Sequence, residues 1–251
     1  MEGRQLNRNA RSSEPSDRRV RPFAREPEFW RLVGYAVPIG VFAGLAGLAF
    51  VSVVRIGTDL IWPKDLALGF FDGEPWWIAM TAAAGLLVGL LRMWMRVPQD
   101  PSGALASIQE ARVDWRTAPQ TVLVSAVSLI GGASLGPFDA GTRSGGAFGE
   151  WISERRDLPE QMRQVNTLSG ISGGVGGLLT SPFISTLFVA EIARPRSDRY
   201  YSILIPNLVA AFFGFFVFFA TVGPGFLRLF EVPGYEVAEW HFVVAIALGA
   251  L

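Results

Sequence analysis

The chain has 251 residues, half of them hydrophobic and only 18% charged, with a formal net charge of zero and a mean hydropathy of +0.34. A soluble domain carries about a quarter charged residues, so this composition is that of a membrane protein. There is no cysteine, which excludes disulfides and thiolate metal or redox sites. The single histidine, His241, has no Asp or Ser constellation beside it in sequence, so metal catalysis and a Ser-His triad are not expected. The expectation is a protein that is not an enzyme and has no cofactor.

Residues 1–29 hold few apolar side chains and no helical periodicity, and they set arginine and serine beside proline, the composition of a disordered tail. Up to Arg31 the chain carries Arg4, Arg8, Arg11, Arg18, Arg19, Arg21 and Arg25 against Glu2, Glu14, Asp17, Glu26 and Glu28. Aromatic residues do not interleave with these arginines at stacking spacing, so no nucleic-acid partner is expected. About thirty polar residues before the first apolar run is not the layout of a cleavable signal peptide. A basic excess beside that run places the N-terminus in the cytoplasm.

From Trp30 to about Val54 the chain is apolar and glycine-rich, with no charge between Leu32 and Leu48. That is long enough to cross roughly 30 Å of hydrocarbon at about 1.5 Å per residue. A second span runs from Trp76 to about Met95, with Trp76 and Trp77 at the outer end and Arg92 and Arg96 at the inner end, so aromatic-belt and positive-inside signals agree. The two form a helical hairpin returning to the cytoplasm.

The pattern then changes. Pro98 to Ala118 is polar and interrupted, and the apolar segment after Pro119 breaks at Gly136-Pro137 before resuming near Ala140. A glycine-rich unit from Asn166 to Thr180 stops at Ser181-Pro182, and Phe183 to Ala193 reads as another short helix, with proline in its first turn. Tyr200 to Val222 is a full span, and a further helix begins near Trp240 and is cut at Leu251. Ending inside an apolar run, the chain is expected to be incomplete.

Non-helical backbone at membrane depth is tolerated only where protein or a water-filled cavity covers it, because each unpaired N–H or C=O in hydrocarbon costs several kcal/mol. Broken apolar segments therefore point to a transport site, where half-helix N-termini aim backbone N–H groups and positive dipole ends at an anion. Two candidates stand out, Pro101-Ser102-Gly103 and Gly136-Pro137-Phe138-Asp139. Ser102 precedes a helical pattern through Ile108 and Ala111, and its hydroxyl reads equally as an anion donor or as an ordinary N-cap. For Phe138 and Asp139, placement inside an apolar region favours an anion cradle over a plain helix start. Gly141, Gly145, Gly149, Gly170, Gly173, Gly174 and Gly177 recur at three- and four-residue spacing, which reads as close helix packing and not as ligand contact.

At these residues the chain resembles the CLC family of chloride channels and proton-coupled chloride antiporters. Gly131 to Ala140, followed by Gly145-Gly146-Ala147-Phe148-Gly149, is similar to the family's Gly-x-x-Gly-Pro/Arg-Glu-Gly/Ala-Pro segment and the glycine-rich helix after it. Ser169-Gly170 through Ser181-Pro182-Phe183 to Leu187-Phe188-Val189-Ala190-Glu191 resembles the family's Gly/Ala-rich helix, Asn-Ala-Pro break and Leu-Phe-x-x-Glu helix. Ser102-Gly103 is similar to its anion loop, with Ala104-Leu105 in place of Ile-Pro.

The resemblance implies an all-α, multi-pass membrane fold with broken and tilted helices: the first half of an inverted-repeat architecture, occupying residues 30–251. The second half, expected to follow, supplies another half-helix N-terminus and a tyrosine hydroxyl in the family, so the chain alone is not expected to conduct. The implied substrate is chloride or a similar small anion, the implied assembly a homodimer in the lipid bilayer of the cell membrane.

The anion site maps onto Ser102, Gly103, Gly136, Pro137, Phe138 and Asp139. Phe138 stands where the family has its gating glutamate, and Ile192 where antiporters keep the inner proton-transfer glutamate. Losing both acids implies a passive, uncoupled channel. The alternatives are an antiporter in which Asp139 and Glu191 form a displaced proton path, and a non-transporting member plugged by Phe138.

Overall fold

A computed structural model describes residues 27–62, 76–97, 103–134, 136–194 and 200–223. The described residues form eight helices: α1 (Pro27–Ile61), α2 (Trp76–Met95), α3 (Gly103–Glu110), α4 (Ala118–Ile130), α5 (Phe138–Arg155), α6 (Glu160–Leu178), α7 (Pro182–Ala193) and α8 (Tyr200–Val222). Of these, α1, α2 and α8 are long and apolar enough to cross a membrane, while α4 and α7 are apolar but shorter. The result is an all-α membrane fold in which the long spans α1, α2 and α8 flank a run of shorter helices, α3 to α7.

α6 is the centre. It packs against α5, α8, α1 and α7, and every residue from Val165 to Gly177 is buried. In lipid the hydrophobic effect does not drive helices together, so close approach depends on small residues and backbone contact. A Cβ on Gly145 of α5 would fall on the carbonyl of Gly170 in α6, and one on Gly149 would fall on that of Asn166. The α6–α8 crossing is equally tight, because a Cβ on Gly176 would lie 2.8 Å from the carbonyl oxygen of Ala211. These glycines serve helix packing, as their spacing suggests.

α1 buries one face, Phe29, Leu32, Ala36, Ile39, Gly40, Ala43, Gly44, Gly47 and Phe50, chiefly against α6 and α8, with Phe50 packed on Ala126 of α4 and Ala140 of α5. Its far end is tied to the end of α4 by the Trp62 indole, whose Nε1 donates to the Ile130 carbonyl at 2.8 Å. Between α6 and α8, Ser169 Oγ donates to Asn207 Oδ1 at 3.0 Å.

Three boundaries differ from the sequence reading. α1 starts at Pro27 and runs on to Ile61, past the point near Val54 where Arg55 and Asp59 end the apolar run. α6 starts at Glu160, six residues before Asn166, because its first turns are polar yet still pack through Met162 and Val165. The expected helix near Trp240 and the tail up to Glu26 lie outside the described residues.

Candidate functional site

The break between α4 and α5 is built by glycine and proline. Gly132 and Gly136 have φ of +95° and +69°, a left-handed region that costs other residues strain, and Pro137 then occupies the N-cap of α5 without a side-chain cap. The first backbone bond of the helix runs from Gly141 N to Pro137 O at 3.0 Å. The N–H groups of Phe138, Asp139 and Ala140 therefore precede the intrahelical ladder, and they carry the positive end of the α5 dipole. On the other side Gly103 opens α3, also at positive φ, +61°, and Ser107 Oγ bonds back to the Gly103 carbonyl at 3.4 Å.

Gly103 and Asp139 line one cavity of about 670 Å³, together with Ser107, Arg143 and a row of α4 residues. The α4 row is a hydroxyl stripe, Thr117, Thr121, Ser125 and Ser128, at helical spacings of four, four and three that set all four on one face. Asp139 is held one turn further along by Arg143, whose Nε donates to both carboxylate oxygens at 3.1 and 3.0 Å. The same cavity has a charged rim, where Arg112 pairs with Glu160 at 2.6 Å.

Phe138 does not share this lining. Its ring packs on the core formed by Ile108, Val113, Leu168, Ile171, Val175 and Val189, and it meets Phe188 of α7 edge to face at 5.5 Å. Ile192 packs against the same core, whereas Glu191 is exposed on the other side of α7. Gly136 is exposed and Pro137 half-buried, and neither borders the cavity as described. Ser102, Leu135 and His241 lie outside the described residues. Among the described residues no group of three His, Cys, Asp or Glu side chains could hold a metal ion.

Two charged features lie outside the motifs of the sequence. One is Arg143, whose i, i+4 relation to Asp139 was visible. The other is a buried charged group near the α5–α6 turn, where Glu150 accepts from Arg163 Nη2 and from Thr167 Oγ1 at 2.8 Å, beside an Asn166 Nδ2 to Ser153 Oγ bond of 2.9 Å.

Long spans flanking glycine-broken half-helices around a polar cavity define a multi-pass membrane protein of transporter architecture. The family model described as voltage gated chloride channel matches residues 99–251. The chain belongs to that family, the CLC family. A chloride/fluoride channel protein of Pseudomonas syringae pv. tomato is 28% identical over 191 residues, which cover 74% of this chain and 41% of that protein. A slow cyanobacterial Cl⁻/H⁺ antiporter of known structure superposes with a TM-score of 0.61 at 18% identity, over 87% of this chain and 53% of that one. The chain thus spans less than half of the curated relative and about half of the solved one.

Proposed function

We propose that this chain forms one half of a CLC-type pathway that carries a small anion, chloride foremost, passively and without proton coupling. The observation that carries this reading is the packing of Phe138. At the position of the family's gating carboxylate stands a ring lodged against Phe188 and the core, and a phenyl group cannot titrate. Ile192, at the other coupling position, is likewise an apolar contact of that core. Both acids that would link anion and proton movement are thereby replaced by side chains with structural contacts.

In this reading the α3 start, with Ser102 and Gly103, and the α5 start, Gly136 to Asp139, are the two half-helix N-termini that face the anion, and the α4 hydroxyls line its route. The tail lies in the cytoplasm. Residues 30–251 belong to the transmembrane domain, and two copies pair through the apolar faces of α7 and α8, where Phe183, Ile184, Leu187, Phe212 and Phe216 are exposed.

The antiporter reading has one observation in its favour: Asp139 borders the cavity. Against it stand the salt bridge that ties Asp139 to Arg143 and the outward position of Glu191. The test is chloride efflux from proteoliposomes loaded with the full-length protein. Passive efflux that collapses to zero net movement once the gradient is spent supports the reading, and no efflux of any halide overturns it.

A further inference from the structure

A second hollow, sharing no lining residue with the polar cavity, is an apolar groove of about 450 Å³ between Phe42 and Ala46 of α1, Pro119 and Val122 of α4, and Phe148 and Trp151 of α5. Its volume lies in the range of about 300–1,000 Å³ typical of small-molecule sites. The floor is aromatic: Phe42 stacks on Phe148 with ring centroids 3.8 Å apart, and Phe148 stacks on Trp151 at 5.4 Å.

One end of the groove is charged. There Trp115 and Trp151 stand with Glu154 and Arg155 around a smaller hollow of about 150 Å³. Each tryptophan carries an arginine, Arg116 at 5.3 Å from the Trp115 ring centroid and Arg155 at 5.5 Å from that of Trp151. Both oxygens of Glu154 are engaged, Oε2 by the Trp115 indole and Oε1 by Arg116 at 3.3 Å. Arg155 is exposed, and among the described residues it makes no ion pair beyond its contact with the Trp151 ring.

This mouth lies at a membrane surface. α5 ends at Arg155, and just past it Leu158 joins Met162 and Val165 in packing on Leu32, near the start of α1, whereas Phe42 and Ala46 lie deeper along that span. Tryptophan and arginine at the surface end, with an apolar lining below them, reproduce the order of headgroup and hydrocarbon in a bilayer leaflet. A phospholipid carries its phosphate and acyl chains in that same order.

We propose that the groove is a binding site for an anionic phospholipid, with one acyl chain laid over Phe148 between α1 and α4 and the phosphate at the Arg155 guanidinium. Arginine suits the task because its planar fork matches phosphate oxygens. Charge decides the lipid class: an arginine without a carboxylate favours a headgroup of net negative charge over a zwitterionic one, whose ammonium brings a second cation to the mouth. The site is separate from the anion pathway and does not depend on whether that pathway is coupled.

The test is native mass spectrometry of the full-length protein in mild detergent, titrated with palmitoyl-oleoyl phosphatidylglycerol or the matching phosphatidylcholine. The unmodified chain is compared with Arg155→Gln and Val122→Trp. The unmodified chain should retain phosphatidylglycerol in preference to phosphatidylcholine. Arg155→Gln should weaken phosphatidylglycerol about five-fold, the worth of one basic residue near an anionic lipid surface, and leave phosphatidylcholine unchanged. Val122→Trp fills the groove and should remove one bound lipid per chain; should it fail to fold, Ala46→Phe fills the same space from α1. Equal retention of the two lipids, indifferent to Arg155→Gln, overturns the proposal. So does an unchanged lipid count in the filled variants, which would show the groove covered by the rest of the chain or, where their oligomeric state shifts, by a second copy.

Discussion

Phe138 and Phe188 meet edge to face, with ring centroids 5.5 Å apart and planes at 90°, and this contact joins the first residue of α5 to the middle of α7. On the proposed reading, it makes an apolar core contact of the position that corresponds to the family's gating acid. The ring is half-buried, so Phe138→Ala should cost about 1–3 kcal/mol, below the ~3–5 kcal/mol of a fully buried phenylalanine.

Phe138→Glu tests what the position does to transport. Flux through the unmodified full-length protein should be nearly independent of external pH. On the proposed reading the variant's carboxylate, released from the Phe188 contact, reaches the anion that the α5 start faces, where its ionised form competes with chloride and its protonated form does not. Its flux should therefore rise as pH falls through the carboxyl's titration. Equal pH dependence in both proteins would show that Phe138 does not occupy a gating position.

The α5–α6 crossing should tolerate no side chain. Gly145→Ala and Gly149→Ala place a Cβ on an opposing backbone carbonyl, and neither backbone can yield without separating the helices. Detergent extracts should show little folded protein by fluorescence-detected size exclusion. Gly85→Ala and Gly89→Ala on α2, where nothing lies within 4 Å of the added Cβ, should be neutral or stabilise by up to about 1 kcal/mol.

Glu150 and Arg163 hold the turn between those helices, with side chains 10% and 32% exposed. Arg163→Gln leaves a largely buried carboxylate without its cation and should destabilise by about 3 kcal/mol, while the double variant with Glu150→Gln should recover most of that loss. Thr167→Val removes one hydrogen bond to the same carboxylate and should cost about 1–2 kcal/mol. Thermal unfolding of the purified full-length variants measures all three.

Exposed Phe183, Ile184 and Leu187 on α7 should be covered by a second copy. Full-length protein in mild detergent should run as a dimer, and Ile184→Trp should shift it toward monomer. A monodisperse monomer for the unmodified protein would remove this face as an interface.

The helix breaks were legible because glycine and proline punctuate the chain locally: Gly136-Pro137 opens α5, and Ser181-Pro182 opens α7, where the Ser181 hydroxyl accepts from Ile184 N at 3.3 Å. The packing glycines were legible from their spacing for the same reason. The buried Glu150 was not, since whether a charge is buried depends on partners 13 and 17 residues away. The α4 stripe of Thr117, Thr121, Ser125 and Ser128 was present as a pattern, but helical periodicity marks a polar face without saying whether it meets lipid, protein or a cavity. Arg143 was hidden behind its neighbour, because a family motif directs attention to the residues it names, and position 143 is not one of them.

Simultaneous recording of chloride and proton movement decides whether the pathway is uncoupled. Full-length protein in liposomes is given an outward chloride gradient with no pH difference and with the membrane potential clamped by valinomycin and potassium, while internal pH is followed by a trapped dye. An uncoupled pathway gives chloride efflux with no change of internal pH. Protons driven inward against their own electrochemical gradient by the leaving chloride would contradict it.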